Sequence, residues 1–199
     1  MKQIPSPNFW KGHQKRIAVV LHVSVGTIES IDSWFSTSQS QVSAHYGISK
    51  TGEVHQYVSE KNSAWAVGVV KKPSWKLIKN TNPNWYTISI EHEGYQTTIW
   101  TEAMKKASTE LVRGICERNN IPITRDNIIG HYEIDIEKPF IESKVDDIFK
   151  RVEKTSKIIK KLKTTEKSLI GILIEVVKRL KAKLAQKVAL LLKKLKYYE

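Results

Sequence analysis

Two histidines more than a hundred residues apart each end an apolar run. His22 closes Arg16-Ile17-Ala18-Val19-Val20-Leu21-His22, and His131 follows Asn127-Ile128-Ile129-Gly130. A neutral imidazole is the commonest zinc ligand. A catalytic zinc needs its protein ligands on rigid elements, with one position left open to water. Two imidazoles delivered by separate core elements therefore suggest one metal site, against the plainer reading of two unrelated histidines at strand ends.

The elements that must position them can be read from periodicity. Ile17 to Leu21 reads as a buried strand, and Thr27 to Ser36, with Ile28, Ile31, Trp34 and Phe35, has helical spacing. Tyr46-Gly47-Ile48-Ser49 leads through Lys50-Thr51-Gly52-Glu53 into Val54-His55-Gln56-Tyr57-Val58, a hairpin with a glycine turn. Thr87 to Glu93 alternates like a strand. Thr101 to Asn119 carries Ala103, Met104, Ala107, Leu111, Val112 and Ile115 at helical spacing. Strands interleaved with long helices predict an α/β domain built on a mostly single sheet. Cys116, the single cysteine, cannot form an internal disulfide and falls in the second helical pattern, as a buried structural thiol would.

Charge divides the chain into two parts. Between Lys150 and Glu199 sixteen Lys and Arg face four Glu, a net +12, which leaves +1 of the overall +13 for residues 1–149. A break of this kind marks a module boundary, expected between Phe149 and Lys157. The nearly neutral first module, 1–149, does not require a polyanionic substrate. Met1 to Pro7 lacks the apolar stretch of a signal peptide, from which synthesis in the cytoplasm is expected.

Five segments of the first module occur together and in order: Val20 to Ser24, Val42 to Ile48, Ser63-Ala64-Trp65, Asn82 to Gly94 and Gly130 to Asp135. In this arrangement residues 15–149 resemble the type 2 N-acetylmuramoyl-L-alanine amidases, which include phage endolysins and are similar to peptidoglycan recognition proteins. The resemblance implies a single mixed central sheet flanked by helices. It also implies a Zn2+-dependent hydrolase that cuts the amide between N-acetylmuramic acid and the L-alanine of the peptidoglycan stem peptide. His22 and His131 match two of the family's zinc ligands. Glu91 matches the position where part of the family places its acid or base, with Glu93 two residues on as the other candidate. Lys138 matches a lysine that stabilises the developing oxyanion. Trp65 is expected to line the substrate groove, and His45 is read as structural or as a substrate contact.

The match is incomplete at the third ligand. The family places Cys or Asp eight to eleven residues beyond the second histidine, before Pro-Gly, where this chain has Glu137-Lys138-Pro139-Phe140-Ile141-Glu142-Ser143. Phe140 or Ile141 takes the expected position. Carboxylate oxygen is an acceptable zinc ligand, so Glu142 is the preferred substitute and Asp135 the other. Ala66 stands where relatives often have histidine, which removes one polar substrate contact.

The tail, 150–199, is a different object. Leu169, Leu173, Val176, Leu180, Leu184, Val188, Leu191 and Leu195 recur at steps of three or four, one amphipathic helical stripe among lysines and Arg179. Gly171 and Thr164-Thr165 are the expected weak points. Its apolar run Leu169 to Ile174 is too short to span a bilayer. Three roles fit: an anionic membrane, anionic wall polymers, or packing and self-association. Nucleic acid is not expected, because Tyr197 and Tyr198 are the tail's only aromatics and no nucleic-acid module is present. Overall the expectation is a phage-type endolysin that reaches the cell wall after membrane breach. The rivals are a non-catalytic peptidoglycan-binding protein and a protein that permeabilises membranes through its tail.

Overall fold

A computed structural model describes residues 1–195, with side chains to residue 187; Val188, Leu191, Leu195, Tyr197 and Tyr198 lie outside the described side chains. The chain runs through β1 (Lys2–Gln3), β2 (Phe9–Lys11), β3 (Ala18–Val23), α1 (Ile28–Phe35), β4 (Tyr46–Ile48), β5 (Val54–Gln56) and β6 (Asn62–Ala64). It continues through β7 (Thr87–His92), α2 (Glu102–Asn119), β8 (Ile128–Gly130), α3 (His131–Ile134) and α4 (Glu142–Leu195). Six strands form one mixed sheet in the order β1-β5-β4-β7-β3-β8, and β2 pairs with β6 in a separate antiparallel ribbon.

β3 lies at the centre of the site-bearing half, parallel to β7 on one side and β8 on the other. Its residues are buried on both faces, as parallel strands require when both faces are covered. Side chains alternate across the sheet. Val19 and Leu21 of β3, Ile88 and Ile90 of β7 and Ile128 of β8 pack with Met104, Val112 and Ile115 of α2 and Val145 and Ile148 of α4. Ala18, Val20 and Ile129 face the other way, into Val67, Trp75, Tyr86 and Ile134. That second face is the one on which His22 and Glu91 stand, because they continue the alternations of Val20 and Ser89.

The helices begin and end where their caps direct. Thr27 accepts from the Ser30 amide at the start of α1, and Thr101 accepts from the Met104 amide at the start of α2. Asn120 closes α2 in the left-handed region, where its short polar side chain is tolerated. The β4–β5 hairpin turns at Gly52, whose φ of 85° is one that glycine adopts without steric cost. Cys116 is buried on α2, and burial pushes its thiol up to about 12, as suits a packing role.

One expectation changes. α4 runs unbroken past Thr164, Thr165 and Gly171; the two threonine hydroxyls donate to the carbonyls of Lys160 and Lys161 one turn back and leave the helix intact. The first compact unit extends from Met1 to Lys154, with a second beginning at Thr155. This split lies inside the expected range, Phe149 to Lys157, and Val152 is fully buried in the same core as Val145 and Ile148.

Candidate active site

Register brings the distant residues together. His22 on β3 pairs with Glu91 on β7, and Leu21 pairs with Gly130 on β8, so His131 follows directly beside His22. All three strands are parallel and end at one edge of the sheet, the edge where open α/β sheets place their ligands. The imidazole rings of His22 and His131 lie with centroids 4.5 Å apart, and His22 Nδ1 is 3.7 Å from Glu91 Oε1.

The turn that aims His131 is built from polar groups. Gly130 N donates to Glu133 Oε1 at 2.9 Å, and Arg125 binds both oxygens of Glu133 while its Nε donates to Asp146 of α4. A Cβ on Gly130 would sit 2.3 Å from the Tyr132 ring, so the turn requires glycine. His131 Nε2 donates to the Val67 carbonyl at 2.9 Å. This fixes the tautomer and turns Nδ1 into the acceptor, the arrangement of a metal-binding histidine.

Burial sets the electrostatics. It lowers His22 well below the ordinary imidazole value, with the neighbouring His131 adding to the effect, and it lowers His131 to about 4. Lys138 adds to the depression at both rings. Both imidazoles are therefore neutral, the form that binds a metal. Burial also pushes the Glu91 carboxyl up to about 8. Among the described residues, His22 Nε2, Glu91 Oε2 and Trp65 Nε1 are buried without a partner, an uncommon state for polar atoms, and three such atoms cluster at this edge.

Two hollows of ≈ 480 Å³ and ≈ 560 Å³ share Val42, Trp65 and Ala66 in their walls and form one groove. Glu91 lines one end, with Trp34 and Val23; His131 and Lys138 line the other, with Trp10 and Asn84. Trp65 packs against Trp10 with centroids 5.5 Å apart. Asn84 Oδ1 accepts from the amides of Ala66 and Val67, which holds the carbonyl that orients His131. Sequence patterning missed Trp34, Trp10 and Asn84. Trp34 shares the helical spacing of α1 but is 58% exposed and lines the groove, and Asn84 falls in the Asn82 to Gly94 segment with nothing in its local pattern to mark it.

Several expected site residues lie elsewhere. Asp135 is buried, and its carboxylate accepts from the Glu137 amide in an Asx turn and from the amides of the distant Lys71 and Lys72, which together occupy both oxygens. Glu142 is exposed in the first turn of α4, where a carboxylate complements the helix dipole. Among the described residues, neither joins the two imidazoles in a metal-holding group. Of the two residues at the expected ligand position, Phe140 leans its ring on Tyr132 at 4.8 Å and Ile141 is buried in the core. Glu93, just past β7, accepts from the Lys50 amide at 2.7 Å and braces the β4–β5 hairpin. His45 is no substrate contact: it is 1% exposed, its Nδ1 accepts from Ser89 N and its Nε2 donates to the Asn62 carbonyl.

His22 and His131 fit zinc as two donors. Among the described residues no third His, Cys, Asp or Glu completes a metal-holding group, one short of the three protein donors usual at catalytic zinc.

Residues 13–147 match the family described as N-acetylmuramoyl-L-alanine amidase, and the chain belongs to that family. It is 34% identical over 58% of its length to N-acetylmuramoyl-L-alanine amidase A of Achromobacter lyticus. Among solved structures it is similar to a Se-Met derivative of AmpD, with a TM-score of 0.60, 22% identity, and coverage of 74% of this chain and 93% of that one. A mutant endolysin from Bacillus subtilis has a TM-score of 0.57, 14% identity, and coverage of 76% and 97%. These two likenesses show the fold. The chain spans 60% of the Achromobacter protein's own length and about half of that of the further curated relatives it matches.

Proposed function

We propose that this protein hydrolyses the amide between N-acetylmuramic acid and L-alanine in peptidoglycan, with His22 and His131 holding a zinc ion and Glu91 handling protons. The observation that carries the reading is the meeting of two neutral imidazoles and a buried carboxyl beside a groove that Glu91 and His131 both line, in a chain of the amidase family. Bound at the two imidazoles, zinc would supply Lewis acidity toward the carbonyl and toward a water.

The chain's own residues have distinct tasks. The Val67 carbonyl holds His131 in the tautomer that leaves Nδ1 to bind. Glu91, pushed up to about 8, exchanges a proton near neutral pH, which suits deprotonation of an attacking water and protonation of the departing amine. Lys138 sets a positive charge beside the imidazoles, where negative charge develops on the carbonyl oxygen. Trp65, with an unpartnered indole N–H, lines the groove on the glycan-peptide side and excludes water. The setting read from the sequence, an endolysin acting on the wall after membrane breach, is part of the proposal.

The missing third donor favours a second reading, a peptidoglycan-binding protein that keeps the fold without the chemistry. Zinc content, measured with release of new L-alanine amino termini from purified peptidoglycan, separates the two. One zinc per chain with amine release is the expected result. Absence of both after zinc is added back, with retention of the chain on sedimented peptidoglycan, establishes the binder.

A further inference from the structure

The second compact unit, from Thr155 on, carries a surface that the amidase reading does not use. Between Leu169 and Leu184, Leu169, Leu173, Val176, Val177, Leu180 and Leu184 fall within about 100° of arc on a straight helix. They are 42% to 63% exposed, and no charged residue lies inside that arc. Lys167, Lys178, Arg179, Lys181 and Lys183 occupy the flanks and the opposite side, with Glu175 the one acid among them. Residues 155–187 carry ten Lys and Arg against two Glu, a net +8.

We propose that this stretch of α4 lies on an anionic phospholipid surface, its leucines in the interface and its lysines toward the headgroups. Charge complementarity selects that occupant, and the exposed leucines separate it from a charged wall polymer, which would need the lysines alone. A second copy fits poorly. A heptad seam through Leu169, Leu173, Val176 and Leu180 also carries Glu166, Lys183 and Lys187, and paired helices would bring like charges together. Among the described residues no helix is long and apolar enough to cross a bilayer, so the binding is at the surface.

The test is co-sedimentation of the full chain with vesicles of phosphatidylglycerol and phosphatidylcholine, and with pure phosphatidylcholine, at low and high salt. Two variants accompany it: Leu169→Gln/Leu173→Gln/Leu180→Gln, with helicity checked by circular dichroism, and Lys167→Gln/Lys178→Gln/Lys181→Gln. The expected result is salt-sensitive partitioning onto the anionic vesicles, weakened roughly tenfold or more by either variant. Undiminished binding of the leucine variant would overturn the proposal in favour of attraction by charge alone. Should that variant lose its helix, undiminished binding of the lysine variant would overturn it equally. So would failure of the full chain to bind anionic vesicles, whether or not sedimentation velocity shows a dimer. None of these readouts depends on amide hydrolysis.

Discussion

At the residue scale the site depends on what burial does to proton affinity. Glu91 sits at 3.7 Å from His22 with one oxygen unpartnered, a costly position for a carboxyl. Glu91→Gln is expected to lower kcat by about 10²–10⁴-fold. It should leave the thermal midpoint unchanged or raised, because the substituted amide carries no charge to desolvate; calorimetry beside the kinetic assay checks both. His131→Ala should reduce zinc content to background, whereas Glu142→Gln, exposed on α4, should leave it unchanged. A loss of zinc on Glu142→Gln would restore that residue as the third ligand.

The non-catalytic histidines predict a pH dependence of stability. His92 and His45 are each pulled to about 3, first by burial, and in the unfolded chain both return to about 6.5. Between those values the unfolded state binds more protons, so stability is complete above pH about 6.5 and falls as the pH drops toward 3. The slope is up to about 1.4 kcal/mol per pH unit for each histidine. Urea denaturation at pH 7 and pH 5 measures it, and equal midpoints at the two values would contradict it.

At the scale of elements, the turn between β8 and α3 decides where His131 points. Gly130→Ala forces a Cβ against the Tyr132 ring and is expected to destabilise the protein by about 1–3 kcal/mol. Zinc affinity should fall with it, because the turn and His131 move together. Chemical denaturation and metal titration of the same variant test the coupling; loss of stability with full zinc affinity would show that the turn does not aim the ring.

At the scale of the whole molecule, the core ends within α4. A chain ending at Lys154 retains Val152 and the Arg151–Asp147 and Arg151–Glu102 ion pairs, and its thermal midpoint should lie close to that of the full chain. Ending at Phe149 removes a fully buried valine and should cost about 1.5–3 kcal/mol. Paired thermal melts of the two truncations decide whether the boundary lies at 149 or 154.

Patterns of short range were legible in the sequence. The alternation of β3 and β7, the capped spacing of α1 and α2 and the glycine turn of the β4–β5 hairpin are local consequences of side-chain periodicity and turn chemistry, and they carried His22 and His131 to strand ends. Which side chains those ends bring together was a matter of register between strands far apart in the chain. Local periodicity does not encode register, and the tertiary structure supplied it by pairing His22 with Glu91 and Leu21 with Gly130. The same cause separates the carboxylates. Asp135, Glu142 and Glu93 are equivalent by residue type and nearness in sequence, yet backbone amides claim Asp135 and Glu93, and a helix terminus exposes Glu142. Composition alone divided the basic tail from the domain, while only packing could extend the core to Val152, because burial depends on what the other elements place against a residue.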